Sequence, residues 1–382
     1  MARVLKIALV TIFFVVLLTP LVLPAVNAQE VKVIAIDLTP GRVKDIESPY
    51  SQELLQYLKG NLTAMGWQVV ELSEITSETL AGVDALIIGK LRDETGAFTP
   101  EEIEAIQEWF FTGGKFLWVG ADSDYVEPYL RPEDTSFKSG EPNKILAAIG
   151  SHLRLDYGSL EDPLSNAGAD YRVVSFERNS EGFAGMITEN APTVLFHGPT
   201  FVVGYDYVTR SFVSLETVIE DVGADKLNWL YRSSEAGTIV SHDAIDPLTY
   251  PIGYMGTIPE AAAEKINVGK KYYSKLIVTG ESLLGDRNIF NTLYHGVELQ
   301  GPTFVLQAFK WGLTLEEVPP VAQPITKPLP SLPSPPSIPS IAPAPLTFAT
   351  TYAAVLAGNV VLAYGLAVAA IIIGIAVARL IK

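Results

Sequence analysis

The sequence contains no cysteine at all. That absence removes thiol nucleophiles, thiolate metal sites and disulfides in one step. It leaves export open, because a folded part of this length buries enough apolar surface to do without cross-links. Basic residues are also scarce, with 27 Lys and Arg against 43 Asp and Glu and a net charge of −16. The longest basic run in the central part of the chain is Lys270-Lys271. A surface of that kind does not neutralise phosphates, so nucleic acid is excluded as a partner. Several catalytic signatures are missing too. No Gly-x-Ser-x-Gly turn, no His-Glu-x-x-His helix motif and no glycine-rich loop ending in Gly-Lys-Ser/Thr occurs.

Charge is absent from two long stretches near the ends. Arg3 and Lys6 precede an apolar run from Ile7 to Leu18, and Val26-Asn27-Ala28 is a small-residue cleavage site. These are the three parts of a secretory signal, so residues 1–28 are read as a signal peptide and Gln29 as the mature start. Residues 352–378 carry no charge and are long enough to span a bilayer as a helix, which takes roughly 20 residues. Arg379 and Lys382 follow at once, and positive residues favour the cytoplasmic side. The expectation is a single-pass cell-membrane protein with residues 379–382 inside and residues 29–317 outside. Between them, residues 318–346 form a proline-rich stalk, with 11 prolines in the 27 residues from Pro319 to Pro345. In polyproline II geometry, at about 3.1 Å per residue, it reaches on the order of 80 Å from the membrane.

The folded part opens with alternating strand and helix signals, which imply an α/β fold with an open, mostly parallel sheet flanked by helices, of the flavodoxin or amidotransferase kind. Strands are expected at Val31–Ile36, Trp67–Leu72, Val83–Ile88 and Phe116–Val119. Ser48-Pro49 opens one helix, in which Leu54, Leu58, Leu62 and Met65 recur at helical spacing until Gly66. The only glycosylation sequon, Asn61-Leu62-Thr63, falls inside it. Thr99-Pro100-Glu101-Glu102 is a capping box opening another, with Ile103, Ile106 and Phe110 on one face. From about 156 to 242 the pattern shifts to short strands, at 173–176, 193–196, 201–205 and 238–240, and is read as a β-rich insertion. The α/β rhythm returns with Lys275–Thr279 and a final helix carrying Phe304, Val305, Ala308 and Phe309.

The capped helix, Gly113-Gly114 and the apolar strand up to Gly120 resemble class I glutamine amidotransferase-like domains. The resemblance is to their catalytically silent branch, found in gliding-motility auxiliary transport proteins and accessory domains of secreted hydrolases. Asn143–Ser151, Asp162–Tyr171 and Val278–Asp286 are similar to later stretches of those accessory domains, so the likeness runs from Val31 to Gly312. Active relatives place a cysteine on a tight Gly-x-Cys-x-Gly turn, activated by a downstream His-x-Glu pair. Here the matching turn is Gly120 to Asp124, with Asp122 at the nucleophile position and Asp124 where glycine belongs. No histidine has Glu two residues later. Amidotransferase chemistry is therefore excluded, and the resemblance implies a binding or accessory protein.

Two acidic loops stand out, each at the carboxyl end of an expected strand, where ligands sit in open α/β sheets. Asp122 and Asp124 on one, with Glu281 and Asp286 on the other, supply oxygen ligands suited to a divalent cation such as Ca²⁺. The same residue types are ordinary turn formers. His242-Asp243 is a candidate addition to that site, and Ser282 is the nearest approach to a reactive serine. Tyr205, Tyr207, Trp229, Tyr231, Tyr250 and Tyr254 either stack on an envelope glycan or pack in the core. The function expected is a non-catalytic, membrane-anchored extracellular protein binding a partner protein or an envelope carbohydrate, near a transporter or secreted hydrolase. The alternatives are a hydrolase working through carboxylates at the sheet edge and a structural envelope component. The single-anchor layout resembles archaeal surface proteins.

Overall fold

The computed structural model describes residues 31–92, 94–125, 135–242 and 245–320. The signal peptide, the stalk from residue 321 onward, the apolar segment 352–378, the tail 379–382 and Asp243 lie outside the described residues. Among the described residues no helix is long and apolar enough to cross a membrane.

The first part follows the expected rhythm. Strand β1 (Val33–Asp37), helix α1 (Pro49–Ala64), strands β2 (Gln68–Leu72) and β3 (Ala85–Ile88), helix α2 (Pro100–Phe110) and strand β4 (Phe116–Gly120) succeed one another. The Ser48 hydroxyl accepts from the Ser51 amide at the start of α1. Thr99 and Glu102 close a reciprocal capping box at α2, which satisfies two amides that otherwise have no helical partner. The Asn61 side chain is engaged with the Tyr57 carbonyl at 2.8 Å on α1.

Residues 135–242 then supply α3 (Phe137–Ala148), β5 (Leu153–Leu155), β6 (Ser159–Glu161), β7 (Arg172–Val174), β8 (Glu177–Arg178), α4 (Gly182–Thr188), β9 (Leu195–His197), β10 (Val202–Asp206), β11 (Ser211–Val213), α5 (Leu215–Val222), β12 (Leu227–Arg232) and β13 (Thr238–Val240). The chain returns through β14 (Pro259–Ile266), β15 (Ser274–Thr279), β16 (Leu293–Tyr294), β17 (Val297–Glu298) and α6 (Gly301–Leu313).

The central sheet has eight strands in the order β2-β1-β3-β4-β15-β14-β12-β8. Pairings from β2 through β15 are parallel, and those of β14, β12 and β8 are antiparallel. The stretch 156–242 is thus only partly an insertion. Its β8 and β12 extend the main sheet, while β5-β10-β11, β6-β13 and β7-β9 form small sheets over it. Strand β14 has no counterpart among the expected strands. Its sequence, PEAAAEKI, is rich in helix formers, and pairing on both sides overrides that preference.

Both faces of the sheet are covered, which is why its strands read as continuous apolar runs. Phe116 and Trp118 of β4 point into one core with Leu58 and Leu62 of α1 and Phe304 and Phe309 of α6. Leu117 and Val119 point into the other, with Ile106 and Phe110 of α2 and Ile145 and Leu146 of α3. Each such side chain, fully buried, contributes about 1.5–3 kcal/mol.

One buried group works against this core. Glu260 on β14 is fully buried, and neither of its carboxyl oxygens meets a hydrogen-bond donor. Burial, and secondarily the nearby Asp162, push its pKa well above the ordinary 4.5. A carboxyl whose pKa is raised on folding stabilises least at high pH. Its contribution is fully present below 4.5 and is lost as pH rises toward the folded value. Glu260→Gln is expected to raise stability at pH 8 by on the order of 1–3 kcal/mol, with the gain vanishing near pH 4.5. Urea denaturation of both proteins across that range checks the slope. Equal pH dependence of the two would show that Glu260 ionises freely.

Candidate functional site

Four loops leave the carboxyl ends of parallel strands and meet at one edge. They follow β1 (residues 38–48), β3 (Gly89-Lys90), β4 (Ala121 to Asp124) and β15 (Gly280 to Arg287). Close packing of the last two against their neighbours needs glycine. A β-carbon on Gly120 would lie 2.7 Å from the Ser282 α-carbon, and one on Gly280 would lie 2.0 Å from the Thr200 carbonyl oxygen. The loops enclose a cavity of about 370 Å³, which residues from β6, β9 and the chain after β13 cover. It lies at the low end of the roughly 300–1,000 Å³ usual for ligand pockets, and where open α/β sheets bind ligands.

The floor is built from ion pairs. Lys90 follows β3 after one intervening residue, Gly89, and its ammonium meets Glu281 Oε1 at 3.0 Å. Asp122 Oδ2 receives Lys44 at 3.1 Å and Lys138, from α3, at 3.5 Å. Burial opposes the ionisation of Asp122, but Lys44, Lys138 and Lys90 outweigh it and hold the carboxyl well below the ordinary carboxylate range. Glu281 is fully buried, and burial pushes it up to about 8 against the pull of Lys90. Lys138 also donates to the Tyr125 carbonyl at 2.8 Å.

The walls are aromatic. Tyr171 packs edge-on against His197 at 5.4 Å, and His197 against Tyr294 at 5.5 Å. Burial first, then Lys90 and Arg287, lower His197 to about 4, so its ring is neutral at pH 7. Opposite, Tyr125 meets His242 edge-on at 5.5 Å. Tyr125 and Tyr171 are 55% and 42% exposed, so both present ring surface to a ligand. Asp286, beside Arg287 at 3.5 Å, completes the rim with Ser159 and Glu161.

The four acidic residues singled out in the sequence are thus divided. Asp122 and Asp286 line the cavity, whereas Glu281 lies beneath it on Lys90. Asp124 turns toward the covering strands, accepting from Ser159 Oγ at 2.6 Å, Ser241 Oγ at 3.2 Å and the His242 amide at 2.7 Å. Asp122 and Glu281 are instead engaged by the ammonium groups of lysines. Among the described residues no group of three or more His, Asp or Glu is placed to hold a metal ion. Ser282 is fully buried, and its Oγ accepts from the amides of Lys90 at 3.0 Å and Leu284 at 2.8 Å, a turn-forming role.

The aromatic residues weighed from sequence lie elsewhere. Tyr231 is core, with its hydroxyl donating to the Ala191 carbonyl at 2.7 Å. Trp229 lies under Arg232 at 4.2 Å, and Tyr250 stacks on Tyr254 at 4.7 Å. None of the six lines the cavity. Sequence reading missed Lys44, Lys90, Lys138, Tyr125, Tyr171 and His197. Of these only Lys90 had a legible signal, a cation placed directly after the apolar run Ala85-Leu-Ile-Ile88 and Gly89.

No protein-family model matches the chain, and no curated protein matches it. Among solved structures, the mmIFT52 N-terminal domain superposes with a TM-score of 0.48 at 15% identity, over 74% of this chain and 97% of that one. A ThuA-like protein from Bacteroides uniformis superposes with a TM-score of 0.39 at 12% identity, over 75% of this chain and 94% of that one. Likenesses this shallow do not discriminate between branches of α/β folds. The fold itself rests on the chain's own geometry, a mixed α/β domain with a large, mostly parallel sheet flanked by helices.

Proposed function

We propose that this chain is a non-catalytic, membrane-anchored extracellular binding protein, a silent relative of the amidotransferase-like domains, that takes an envelope saccharide at the carboxyl edge of its sheet. The observation that carries this reading is the pairing of two exposed tyrosine faces with a floor of charged groups already engaged with one another. Ring faces pack against the apolar faces of a sugar, while Asp286 and Arg287 at the rim offer hydroxyl-binding acceptors and donors. The position where active relatives carry a nucleophile is held by Asp122, locked between lysines and too acidic to serve as a proton donor. That favours binding over hydrolysis.

Two measurements test this. Calorimetry of the full chain in detergent micelles, titrated with saccharides of the host envelope, is expected to show binding that Tyr171→Ala weakens by about tenfold, the scale of an aromatic contact residue. Affinity untouched by Tyr171→Ala would remove the cavity from the account. Protease applied to intact cells is expected to degrade residues 29–317. Protection there, with cleavage in inverted vesicles, would reverse the topology.

A further inference from the structure

Resting on the saccharide reading above, we infer that His197 sets the ligand specificity of the cavity, with one ring nitrogen accepting a hydrogen bond from a hydroxyl of the bound sugar.

The ring is held where a ligand meets it. His197 ends β9, which pairs with β7 so that His197 stands opposite Arg172. The next residue fixes the strand end twice over. The Gly198 amide donates to the Tyr171 carbonyl at 2.6 Å, and the Gly198 carbonyl accepts from the Ser123 amide at 3.1 Å. Tyr171 on one side and Tyr294 of β16 on the other meet the imidazole edge-on, at interplanar angles of 86° and 89°. Rings packed from both sides leave the imidazole little room to turn. The Arg172 guanidinium lies 5.2 Å from the Tyr171 ring and 5.9 Å from that of Tyr294, and so holds the two outer rings together.

What this fixed ring offers is an acceptor. Among the described residues neither ring nitrogen of His197 bonds to another residue, in contrast to His152, whose ring nitrogen lies 2.8 Å from Glu264 Oε1. Lys90 and Arg287 oppose a proton on His197 and Asp122 favours one, while burial decides for the neutral form. A neutral imidazole carries a single N–H. The carbonyl of His197 itself draws that N–H, which leaves the second nitrogen as a bare acceptor on a half-buried residue that lines the cavity. A carboxylate or phosphate has no hydrogen to give it, whereas every sugar hydroxyl has. Leaving such an acceptor unmet in a complex costs free energy, so a sugar with a hydroxyl at this point is favoured over one without.

The test is calorimetry on the full chain in detergent micelles, with the methyl glycosides of glucose, galactose, mannose and N-acetylglucosamine as probes. His197→Phe keeps the ring packing and should weaken the tightest probe about tenfold, the scale of one hydrogen bond lost in a site built around it. His197→Gln, which carries an acceptor, should recover most of that loss. Among the monodeoxy forms of the probe, one should bind wild type about tenfold more weakly than the parent sugar does, and His197→Phe should not distinguish the two. Wild-type affinity should hold from pH 7 to pH 5 and fall through about 4 as the lone pair is protonated, more steeply than in His197→Gln. A His197→Phe protein that binds as wild type does, or that keeps every deoxy penalty, overturns the inference and leaves the saccharide site standing. Should His197→Phe fail to fold in urea titration, equal pH profiles of wild type and His197→Gln overturn it instead. Binding of none of the four probes overturns both readings.

Discussion

Replacing Asp122 by alanine should destabilise the protein by about 3–5 kcal/mol, the range for removing one partner of a buried ion pair. Lys44 and Lys138 both converge on this carboxylate, and Lys138 is only 1% exposed. Without Asp122 these ammonium groups stay where the loops and α3 hold them and lose a carboxylate partner in a poorly hydrated floor. Asp122→Asn keeps the shape and the Ser123 amide contact, so it should recover part of the loss. The pH dependence has a definite sign. The Asp122 pKa is depressed on folding, so its stabilisation is present above the ordinary 3.8 and is lost as pH falls toward the folded value. Denaturation in urea at pH 7 and near pH 3 should therefore show the wild type and Asp122→Ala converging in acid. A variant as stable as wild type at pH 7 would mean that the lysines find water or other partners, and that the floor is not a rigid ion-pair network.

The second large effect lies beneath the site. Trp118 is fully buried at the centre of β4, stacked on Phe309 at 6.1 Å and edge-on to Phe304 at 5.4 Å. Its indole nitrogen donates to Thr279 Oγ1 at 3.1 Å, tying β4 to β15 just before the Glu281 loop. Trp118→Ala should cost about 3–5 kcal/mol through the cavity it opens and the contacts it removes. Trp118→Phe should retain much of the packing while losing the tie to Thr279. If the tie positions the loop, Trp118→Phe should weaken saccharide binding more than its loss of stability implies. Stability by denaturant and affinity by calorimetry separate the two terms.

Much of the fold was legible without coordinates, for identifiable reasons. A strand buried on both faces must be apolar throughout, so β1, β3, β4 and β15 announced themselves as continuous runs. Helices α1 and α2 carried local caps at Ser48 and Thr99, whose hydrogen bonds span only three residues. Strand β14 was hidden because alanine and glutamate favour helix locally, and its strand state comes from β12 and β15 on either side. The assignment of β8 and β12 to the main sheet was hidden because it rests on pairing with strands distant in the chain.

The candidate site divides along a similar line. From the sequence alone one could conclude that thiol chemistry is impossible, that the sheet is largely parallel, and that acidic loops stand at its carboxyl edge, because each follows from composition or from patterns within a few residues. Only the tertiary structure decided what those loops face. Lys90 and Glu281 are 191 positions apart, and Lys44 and Asp122 are 78 apart. Nothing near a carboxylate in the chain says whether its partner will be an ammonium, a hydroxyl or a metal. Sheet order makes that choice by bringing the ends of β1, β3, β4 and β15 to one edge, where Coulomb attraction over a few ångströms in a poorly hydrated floor exceeds any preference the local sequence expresses.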